Sequence, residues 1–94
     1  MALLTVYSTQ HHIDGAEEGD QAHFDASVSD LSKESRGFLG LGAWNTSVMR
    51  IYVQSGLWYA WQDANHEGLF WPLEAGYNNN FPPGEVSSLE LRRP

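Results

Sequence analysis

The second half of the chain, residues 56–91, consists of short strand-like runs separated by turn signals. It contains the aromatic run 57–62, a turn that ends at Gly68, and the closing run 86–91. Short strands at regular spacing, separated by Gly, Pro and Asn, favour an all-β sandwich over a βαβ arrangement. The first half shows a less regular version of the same order, so the sequence predicts a domain assembled from two related units.

The candidate strands are short and rich in apolar and aromatic residues. Met49, Ile51 and Val53 alternate with Arg50 and other more polar residues, which is the period of a half-buried strand. Pro72 and the later Pro-Pro-Gly cluster are expected to interrupt strands, because proline cannot donate a hydrogen bond to a ladder. The predicted strands are residues 3–7, 21–25, 48–54, 58–62, 69–73 and 86–91, with a hairpin turn at 65–68.

Two stretches do not fit the strand pattern. Residues 30–35 predict a short helix, capped by Asp30 or Ser29 and ended by Gly37. Residues 11–20 are acidic and contain glycine, which predicts a mobile loop. The adjacent histidines of this loop are of the type that binds transition metals, but neighbouring side chains on a loop seldom converge on one ion, so a solvated loop is favoured.

The composition restricts the class of protein. The 94 residues carry a formal net charge of -7, so the chain lacks the clustered basic residues of a nucleic-acid-binding surface. There is no cysteine, which excludes disulfides and thiolate metal sites. Neither a signal peptide nor a membrane span is expected, and a full-length chain would be cytoplasmic. We expect a single domain, residues 1–94, that is a monomer.

The two halves align as an internal repeat. Each half would have one apolar face, and packing the halves on each other would bury both faces. The predicted units are motif 1, about residues 2–54, and motif 2, about residues 56–92. The alignment places residues 6–7 beside 60–61, Phe24 beside Trp71, and residues 50–53 beside 88–91.

The turn of motif 2 has a distinctive spacing. Trp61, His66 and Gly68 form the order aromatic, four residues, aromatic, one residue, glycine, with histidine as the second aromatic. This spacing and the repeat resemble the βγ-crystallin superfamily, in particular its microbial-type two-Greek-key domains. The resemblance implies an all-β sandwich of two Greek-key motifs, often with bound calcium. In motif 1 the corresponding glycine falls one place late, and roughly seven extra residues precede Phe24, judged from the hairpin of motif 2.

Residues 45–50 and 83–88 align with the calcium-binding box of that family, in which side-chain, carbonyl and hydroxyl oxygens surround the ion. Both boxes have lost acidic positions, and what they keep is Asn45, Ser87 and Ser88. The resemblance therefore implies weak or absent Ca²⁺ binding. The first site would use the Ser8 carbonyl, Thr46, the Ser47 carbonyl and the Ser87 hydroxyl; the second would use Gln62, Gly84, the Glu85 carbonyl and Met49.

The second of these sites is expected to be the weaker. The thioether of Met49 is a poor calcium ligand, and Arg50 adds positive charge close by. One hypothesis is that Arg50 replaces the missing cation by pairing with Glu85 or with a box carbonyl. Substitution of Arg50 by serine would then strengthen calcium binding.

Residues and resemblance together predict a non-enzymatic domain with a structural or stress-related role. The alternative is a protein- or glycan-binding or inhibitory module that has lost calcium binding and presents residues 11–20 or its tryptophans. Ser87, His66 and Asp63 include the residue types of a catalytic triad but lack a nucleophile elbow, so no enzyme is expected. His23 and His66 are expected to be surface or hydrogen-bonded structural histidines. Core or inter-motif packing is favoured for the tryptophans, which are Trp44, Trp58, Trp61 and Trp71.

Overall fold

The computed structural model describes residues 2–8, 21–36, 42–45 and 47–94. Within these ranges the chain is built from short antiparallel strands and one 3₁₀ helix, Leu31–Lys33, so the prediction of an all-β fold is confirmed. No helix in this part of the chain has the length and apolar character needed to cross a bilayer. The strands are β1 (Leu3–Tyr7), β2 (Gln21–Phe24), β3 (Ser35–Arg36), β4 (Gly42–Ala43), β5 (Arg50–Ser55), β6 (Leu57–Asp63), β7 (Glu67–Pro72), β8 (Gly76–Asn78) and β9 (Ser88–Arg93).

The strands form two main sheets that exchange segments. Sheet A has the order β2-β1-β5-β8 and sheet B has the order β7-β6-β9, while β3 and β4 form a separate small hairpin. Val28 adds to the β9 edge of sheet B, because its N–H donates to the Leu89 carbonyl at 2.8 Å and the reciprocal bond is 2.9 Å. The third strand-like segment of each motif therefore pairs with the sheet of the other motif: Val28 of motif 1 joins sheet B, and β8 of motif 2 joins sheet A. This crossing is a Greek-key arrangement.

The strand register repeats between the motifs. Tyr7 pairs with Arg50 in β1–β5, and Trp61 pairs with Ser88 in β6–β9. The repeat includes the irregularities, since the register shifts next to Leu3 in one pair of strands and next to Leu57 in the other. The predicted alignment of residues 50–53 with 88–91 has this same register.

One predicted correspondence, that of Phe24 with Trp71, is wrong by two residues. Ala22 pairs with Val6 and Trp71 pairs with Ala60, so Ala22 is the counterpart of Trp71. Side chains two residues apart lie on the same face of a strand. Aligning Phe24 with Trp71 therefore predicted the correct face of the strand but the wrong register. The spacing from Tyr7 to Ala22 is five residues longer than that from Trp61 to Trp71. The insertion in motif 1 is therefore five residues long, and not roughly seven as predicted.

A single core lies between the two sheets. Trp44 and Trp58 are its largest fully buried side chains, and the indole N–H of Trp58 donates to the Ser55 carbonyl at 2.9 Å. Trp71 is half-buried against this core, so the expectation of core packing holds for three of the tryptophans. The buried apolar residues come from both motifs: Ala2, Leu4, Val6, Leu31, Trp44, Val48, Ile51, Val53, Trp58, Ala60, Leu73, Phe81, Val86 and Leu89.

Several element boundaries differ from the predictions. Strand β5 begins at Arg50 rather than at residue 48, and Pro72 is the last residue of β7 rather than a break before it. The predicted helix is a 3₁₀ turn that ends at Lys33, with Asp30 as its N-cap. Gly37 and the loop 11–20 lie outside the described residues.

Strand β8 was not predicted. Its sequence Gly76-Tyr77-Asn78 reads locally as a turn, and it becomes a strand by pairing with β5, where Tyr77 lies opposite Tyr52. The Asn78 side chain closes the preceding loop, because its amide accepts from the Glu74 N–H and donates to the Glu74 carbonyl, both at 2.8 Å. Tertiary pairing therefore overrides the local turn preference.

Candidate functional site

The β6–β7 hairpin folds over at its tip because its backbone adopts left-handed conformations. Asn65 has φ 62°, His66 has φ 58° and Gly68 has φ 80°. A Cβ at Gly68 would lie 2.7 Å from a carboxylate oxygen of Asp63, closer than real Cβ atoms approach. Glycine is thus favoured at this position by its left-handed conformation, as the predicted aromatic-to-glycine spacing implied, and a Cβ would also displace the Asp63 side chain.

The folded tip is held on sheet B by buried hydrogen bonds. The Ser88 hydroxyl is fully buried, donates to the Asp63 carbonyl at 2.7 Å and accepts from the His66 N–H at 3.1 Å. The His66 ring donates from Nε2 to the Leu89 carbonyl at 3.0 Å. The Asn65 N–H also reaches the Ser29 carbonyl, at 2.6 Å, so the tip contacts motif 1 as well.

The two calcium-box segments occupy equivalent places. The Met49 N–H donates to the Tyr7 carbonyl, and the Ser87 N–H donates to the Trp61 carbonyl, both at 2.9 Å. The strand register makes Tyr7 and Trp61 counterparts, so Met49 and Ser87 are counterparts too. The segments also touch, since the Gly84 N–H donates to the Val48 carbonyl at 3.1 Å. The structure thereby brings residues 47–49 beside residues 84–87, at the junction of the motifs.

The residues predicted for the first calcium site border this junction. Ser8 follows Tyr7 directly, and the side chains of Ser8, Ser47 and Ser87 are half-buried. The Ser47 N–H donates to the Trp44 carbonyl at 3.1 Å, and the Ser87 carbonyl accepts from the Leu31 N–H at 2.9 Å. These backbone bonds hold the two box segments in place. The fourth predicted residue, Thr46, lies outside the described residues.

The residues predicted for the second site have a different character. Gln62 is half-buried, and its side-chain oxygen lies 3.5 Å from the Leu69 N–H, so this side chain turns toward the hairpin. Glu85 is exposed, and its N–H donates to the Pro82 carbonyl at 3.3 Å. Met49, the counterpart of Ser87 in motif 1, is half-buried. The second site therefore has a thioether where the first has a hydroxyl.

Arg50 lies in an environment that its place in the strand pattern did not indicate. It is only 4% exposed, although the period of β5 puts it on the outer face of sheet A. Its guanidinium carbon lies 4.2 Å from the ring centroid of Tyr7 and 4.9 Å from that of Tyr77. The two rings cover the cation, and such contacts between a guanidinium and aromatic faces are favourable. The charge of Arg50 is thus directed at aromatic rings of sheet A.

The charged side chains give little support to a carboxylate-rich metal site. Among the residues that the structure describes, no group of three or more His, Cys, Asp or Glu side chains is placed to hold an ion. The Ser32 hydroxyl and then the Ser32 N–H donate to Asp30, at 2.5 Å and 2.9 Å, and they hold the pKa of that carboxyl below its usual value. Asp30 serves as a helix cap. A cation held at the junction by the described residues would therefore bind mainly to carbonyl and hydroxyl oxygens.

The aromatic residues on the outer face of sheet B stack on one another. The ring centroids of Tyr59 and Phe70 are 5.1 Å apart with an interplanar angle of 12°, and the ring centroids of Trp61 and Phe70 are 4.9 Å apart with an interplanar angle of 37°. Arg92 lies over Tyr59 at 5.0 Å, and the Trp61 indole N–H donates to Glu90 at 3.0 Å. Phe70 is therefore stacked on Tyr59 and tilted against Trp61.

The histidines have structural partners. His66 donates to Leu89 as described above, and its own N–H is bonded to Ser88, so this geometry places it with β9 and not with Ser87 in a catalytic triad. His23 is exposed, and its Nδ1 lies 2.7 Å from the Thr5 hydroxyl on the neighbouring strand. The prediction of surface or hydrogen-bonded histidines is confirmed for both residues.

Comparison with solved structures identifies the fold. The chain is similar to a beta gamma crystallin from Ciona intestinalis, with 22% identity, a TM-score of 0.74, and coverage of 96% of this chain and 99% of that one. It is also similar to a betagamma-crystallin from an archaeon, with 19% identity, a TM-score of 0.71 and coverage of 96% of both chains. The fifth crystallin domain of the non-lens protein Absent in melanoma 1 matches with 20% identity and a TM-score of 0.68, over 96% of this chain and 86% of that domain.

These matches extend over nearly the whole chain, and they show that it has the βγ-crystallin fold. Neither protein-family models nor curated protein sequences match it. The predicted sandwich of two Greek-key motifs is thereby confirmed. Because the identities are low, the likeness concerns the fold, and function has to be argued from the residues at the motif junction.

Proposed function

We propose that this protein is a non-enzymatic βγ-crystallin-type domain that binds Ca²⁺ weakly at the junction of its motifs and uses the ion to stabilise the fold. The ligands are the Ser8 carbonyl, Thr46, the Ser47 carbonyl and the Ser87 hydroxyl. The role is structural or stress-related, and the protein acts as a monomer. The observation that carries the proposal is the hydrogen bond from Gly84 to Val48, which joins the two box segments.

The physical chemistry of this site favours low affinity. Calcium prefers six to eight oxygen ligands, and its affinity falls when few of them are charged. The proposed ligands are carbonyl and hydroxyl oxygens, so no formal charge offsets the dehydration of the ion. The net charge of -7 raises the local concentration of divalent cations without choosing among them. Binding in the millimolar range follows.

Thermal unfolding tests the proposal. Chelator-treated protein is melted without added metal, with millimolar calcium, and with millimolar magnesium as a control for ionic strength. Calcium at its dissociation constant stabilises by about 0.4 kcal/mol, and at ten times that concentration by about 1.4 kcal/mol; each kcal/mol shifts the midpoint of a domain of this size by about 4 to 8 °C. A calcium-specific rise is expected, and equal curves in calcium and magnesium would contradict the proposal.

Two serine variants assign that rise to the junction. Ser87→Ala removes the proposed hydroxyl ligand and should abolish most of the calcium-dependent shift. Ser29→Ala is the matched control, because Ser29 is exposed and its bond to Asn65 uses the backbone carbonyl, which the substitution keeps. A calcium-dependent shift that survives Ser87→Ala would place the ion elsewhere.

The alternative of a glycan-binding module receives less support. A sugar ring binds by lying on an open aromatic face, whereas Phe70 is stacked on Tyr59 and packs at a tilt against Trp61. Phe70 is nevertheless 47% exposed, so its edge reaches solvent. Titration with soluble oligosaccharides while tryptophan fluorescence is recorded tests this alternative, which predicts a saturable change that Phe70→Ala removes.

A further inference from the structure

Strand β7 forms an open edge of sheet B. The sheet has the order β7-β6-β9, so β6 pairs with one side of β7, and no strand in the described part of the chain pairs with its other side. At the far side of sheet B, Val28 bonds to β9. The edge strands of sheet A are shorter, with four residues in β2 and three in β8, whereas β7 has six. Every residue of β7 except Trp71 is exposed.

The backbone groups of Phe70 point out of this edge. The Leu73 N–H donates to the Trp58 carbonyl at 3.0 Å, so Leu73 faces β6. In an antiparallel ladder alternate residues bond to the same neighbour, so Trp71 faces β6 as well. Phe70 and Pro72 alternate with these residues, and their backbone groups point away from β6. An added strand can therefore bond to the N–H and C=O of Phe70 and to the C=O of Pro72, which has no N–H.

Two neighbouring side chains of β7 are large, apolar and exposed. Leu69 is 63% exposed and Phe70 is 47% exposed, and they lie on opposite faces of the sheet. Leu69 shares its face with Trp71, which packs against the core and is itself half-buried. Edge strands that face water usually carry charged residues, because an apolar edge promotes association with another chain. A strand added to β7 would cover Leu69 and extend the core beyond Trp71.

The charged residues that flank β7 are acidic. Glu67 begins the strand, Asp63 lies opposite Glu67 in the hairpin, and Glu74 follows the end of the strand; all three are exposed. The sequence contains no Lys or Arg from residue 51 to residue 91, and the arginines of β9 lie on the far side of β6. This edge therefore attracts a basic segment. A second copy of the chain carries the same net charge of -7 and is repelled.

We propose that β7 is a docking edge for a partner protein, which contributes an extended basic segment as an added strand of sheet B. Hydrogen bonds to the backbone of Phe70 and Pro72 hold the segment, and its alternate apolar side chains cover Leu69. Lys or Arg residues at its two ends lie near Glu67 and Glu74. The inference goes beyond the proposed function, since no residue of the motif junction takes part in it.

A synthetic peptide, Lys-Lys-Val-Thr-Val-Thr-Val-Lys-Lys, is the probe for this edge. It is titrated into the isotope-labelled chain in the presence of chelator, so that calcium binding does not contribute. NMR shifts of the backbone amides locate the bound peptide and give its dissociation constant. One control peptide is methylated on the backbone nitrogens of its central residues and cannot join a ladder. A second control peptide has glutamate in place of every lysine.

The expected result is saturable shifts of the β7 amides with the basic peptide and with neither control. Leu69→Lys should weaken binding about tenfold, because it removes apolar area from the contact and adds a charge that repels the peptide. Leu57→Lys is the matched control and should leave the affinity unchanged, since Leu57 is also an exposed leucine of sheet B, at 39%, but lies on β6. Thermal unfolding of both variants verifies that they remain folded.

The proposal is overturned if the basic peptide shows no saturable binding, or if either control peptide binds as well. Shifts that lie outside β7, or an affinity that Leu69→Lys leaves unchanged, would also overturn it. Analytical ultracentrifugation of the chain alone tests a second copy as the occupant: a dimer that Leu69→Lys dissociates would assign the edge to self-association. Because the titrations contain chelator, their failure leaves the calcium proposal standing, and the loss of calcium binding leaves the docking edge standing.

Discussion

Ser88 and Arg50 are counterparts in the two motifs, yet they stabilise different parts of the molecule. Each pairs across the strands with an aromatic residue, Ser88 with Trp61 and Arg50 with Tyr7. Ser88 uses its hydroxyl to hold the tip of the β6–β7 hairpin, whereas Arg50 packs its guanidinium against the rings of Tyr7 and Tyr77. The repeat is thus preserved in the backbone and has diverged in the side chains that support each hairpin.

Ser88→Ala should destabilise the fold by about 1 to 3 kcal/mol, because the Asp63 carbonyl and the His66 N–H both lose the fully buried Ser88 hydroxyl as a partner. Urea unfolding measures the loss. Ser29→Ala is the surface control and should change the free energy of unfolding by less than about 0.5 kcal/mol. Equal stability of Ser88→Ala and the parent chain would show that water replaces the hydroxyl at the hairpin tip.

Arg50→Ala should cost about 2 kcal/mol, the value for a cation packed on aromatic rings away from water. Arg92→Ala is the matched control, because Arg92 lies over Tyr59 at 5.0 Å but its side chain is 47% exposed, and its loss should cost about 0.5 to 1 kcal/mol. Chemical denaturation of both variants gives the comparison. A cost for Arg92→Ala as large as that for Arg50→Ala would contradict the role of burial.

The hypothesis that Arg50 replaces the missing cation, by pairing with Glu85 or with a box carbonyl, is tested by Arg50→Ser. This variant restores at Arg50 the side chain that its counterpart Ser88 carries. The expected result is tighter calcium binding in calorimetric titration, measured on protein shown by circular dichroism to remain folded. No gain in affinity would count against an effect of the guanidinium on the ion.

Gly68→Ala should be more destabilising than Gly76→Ala. Both glycines have left-handed backbones, with φ 80° and φ 91°, so both substitutions should cost about 1 to 2 kcal/mol in backbone strain. Only at Gly68 does the added Cβ also meet the Asp63 carboxylate, at 2.7 Å, while the space beside Gly76 is open within 4 Å. The difference between the two melting temperatures isolates the contact with Asp63, and equal melting temperatures would mean that Asp63 moves away without cost.

The Asp30 carboxylate should make stability depend on pH in the acid range. Hydrogen bonds from the Ser32 hydroxyl and then the Ser32 N–H hold its pKa below the ordinary 3.8. Because this pKa is lower in the folded state than in the unfolded state, the ionised Asp30 stabilises the fold at pH values above the unfolded-state pKa. The contribution disappears as the pH falls through the folded-state pKa. NMR titration of the Asp30 carboxyl checks the direction. Ser32→Ala should raise the pKa toward 3.8, and an unchanged pKa would contradict the assigned cause.

Local signals in the sequence were sufficient for much of the fold. The period of two around Ile51 and Val53 predicted a strand with a buried face, and both residues are in the core. The spacing of Trp61, His66 and Gly68 predicted the folded hairpin, because the left-handed backbone at Gly68 favours glycine. The equivalence of the two boxes also followed from aligning residues 45–50 with residues 83–88 of the same sequence.

Other features depend on partners that are distant in the chain. Strand β8 exists because Tyr77 pairs beside Tyr52, and the Phe24 alignment failed because periodicity reports the face of a strand but not its register. Burial of Arg50 required Tyr77, which lies on a neighbouring strand from the other motif. The contact of the two boxes, through Gly84 and Val48, likewise arises only once the motifs pack.

The sequence by itself determined the strand pattern, the glycine-dependent hairpin and the repeat of the box segments, because each is a property of residues within a few positions of one another. The tertiary structure alone decided the exchange of Val28 and β8 between sheets, the aromatic environment of Arg50 and the contact of Val48 with Gly84 of the second box. These depend on long-range strand pairing, whose register is selected by burying both apolar faces at once and not by any local preference.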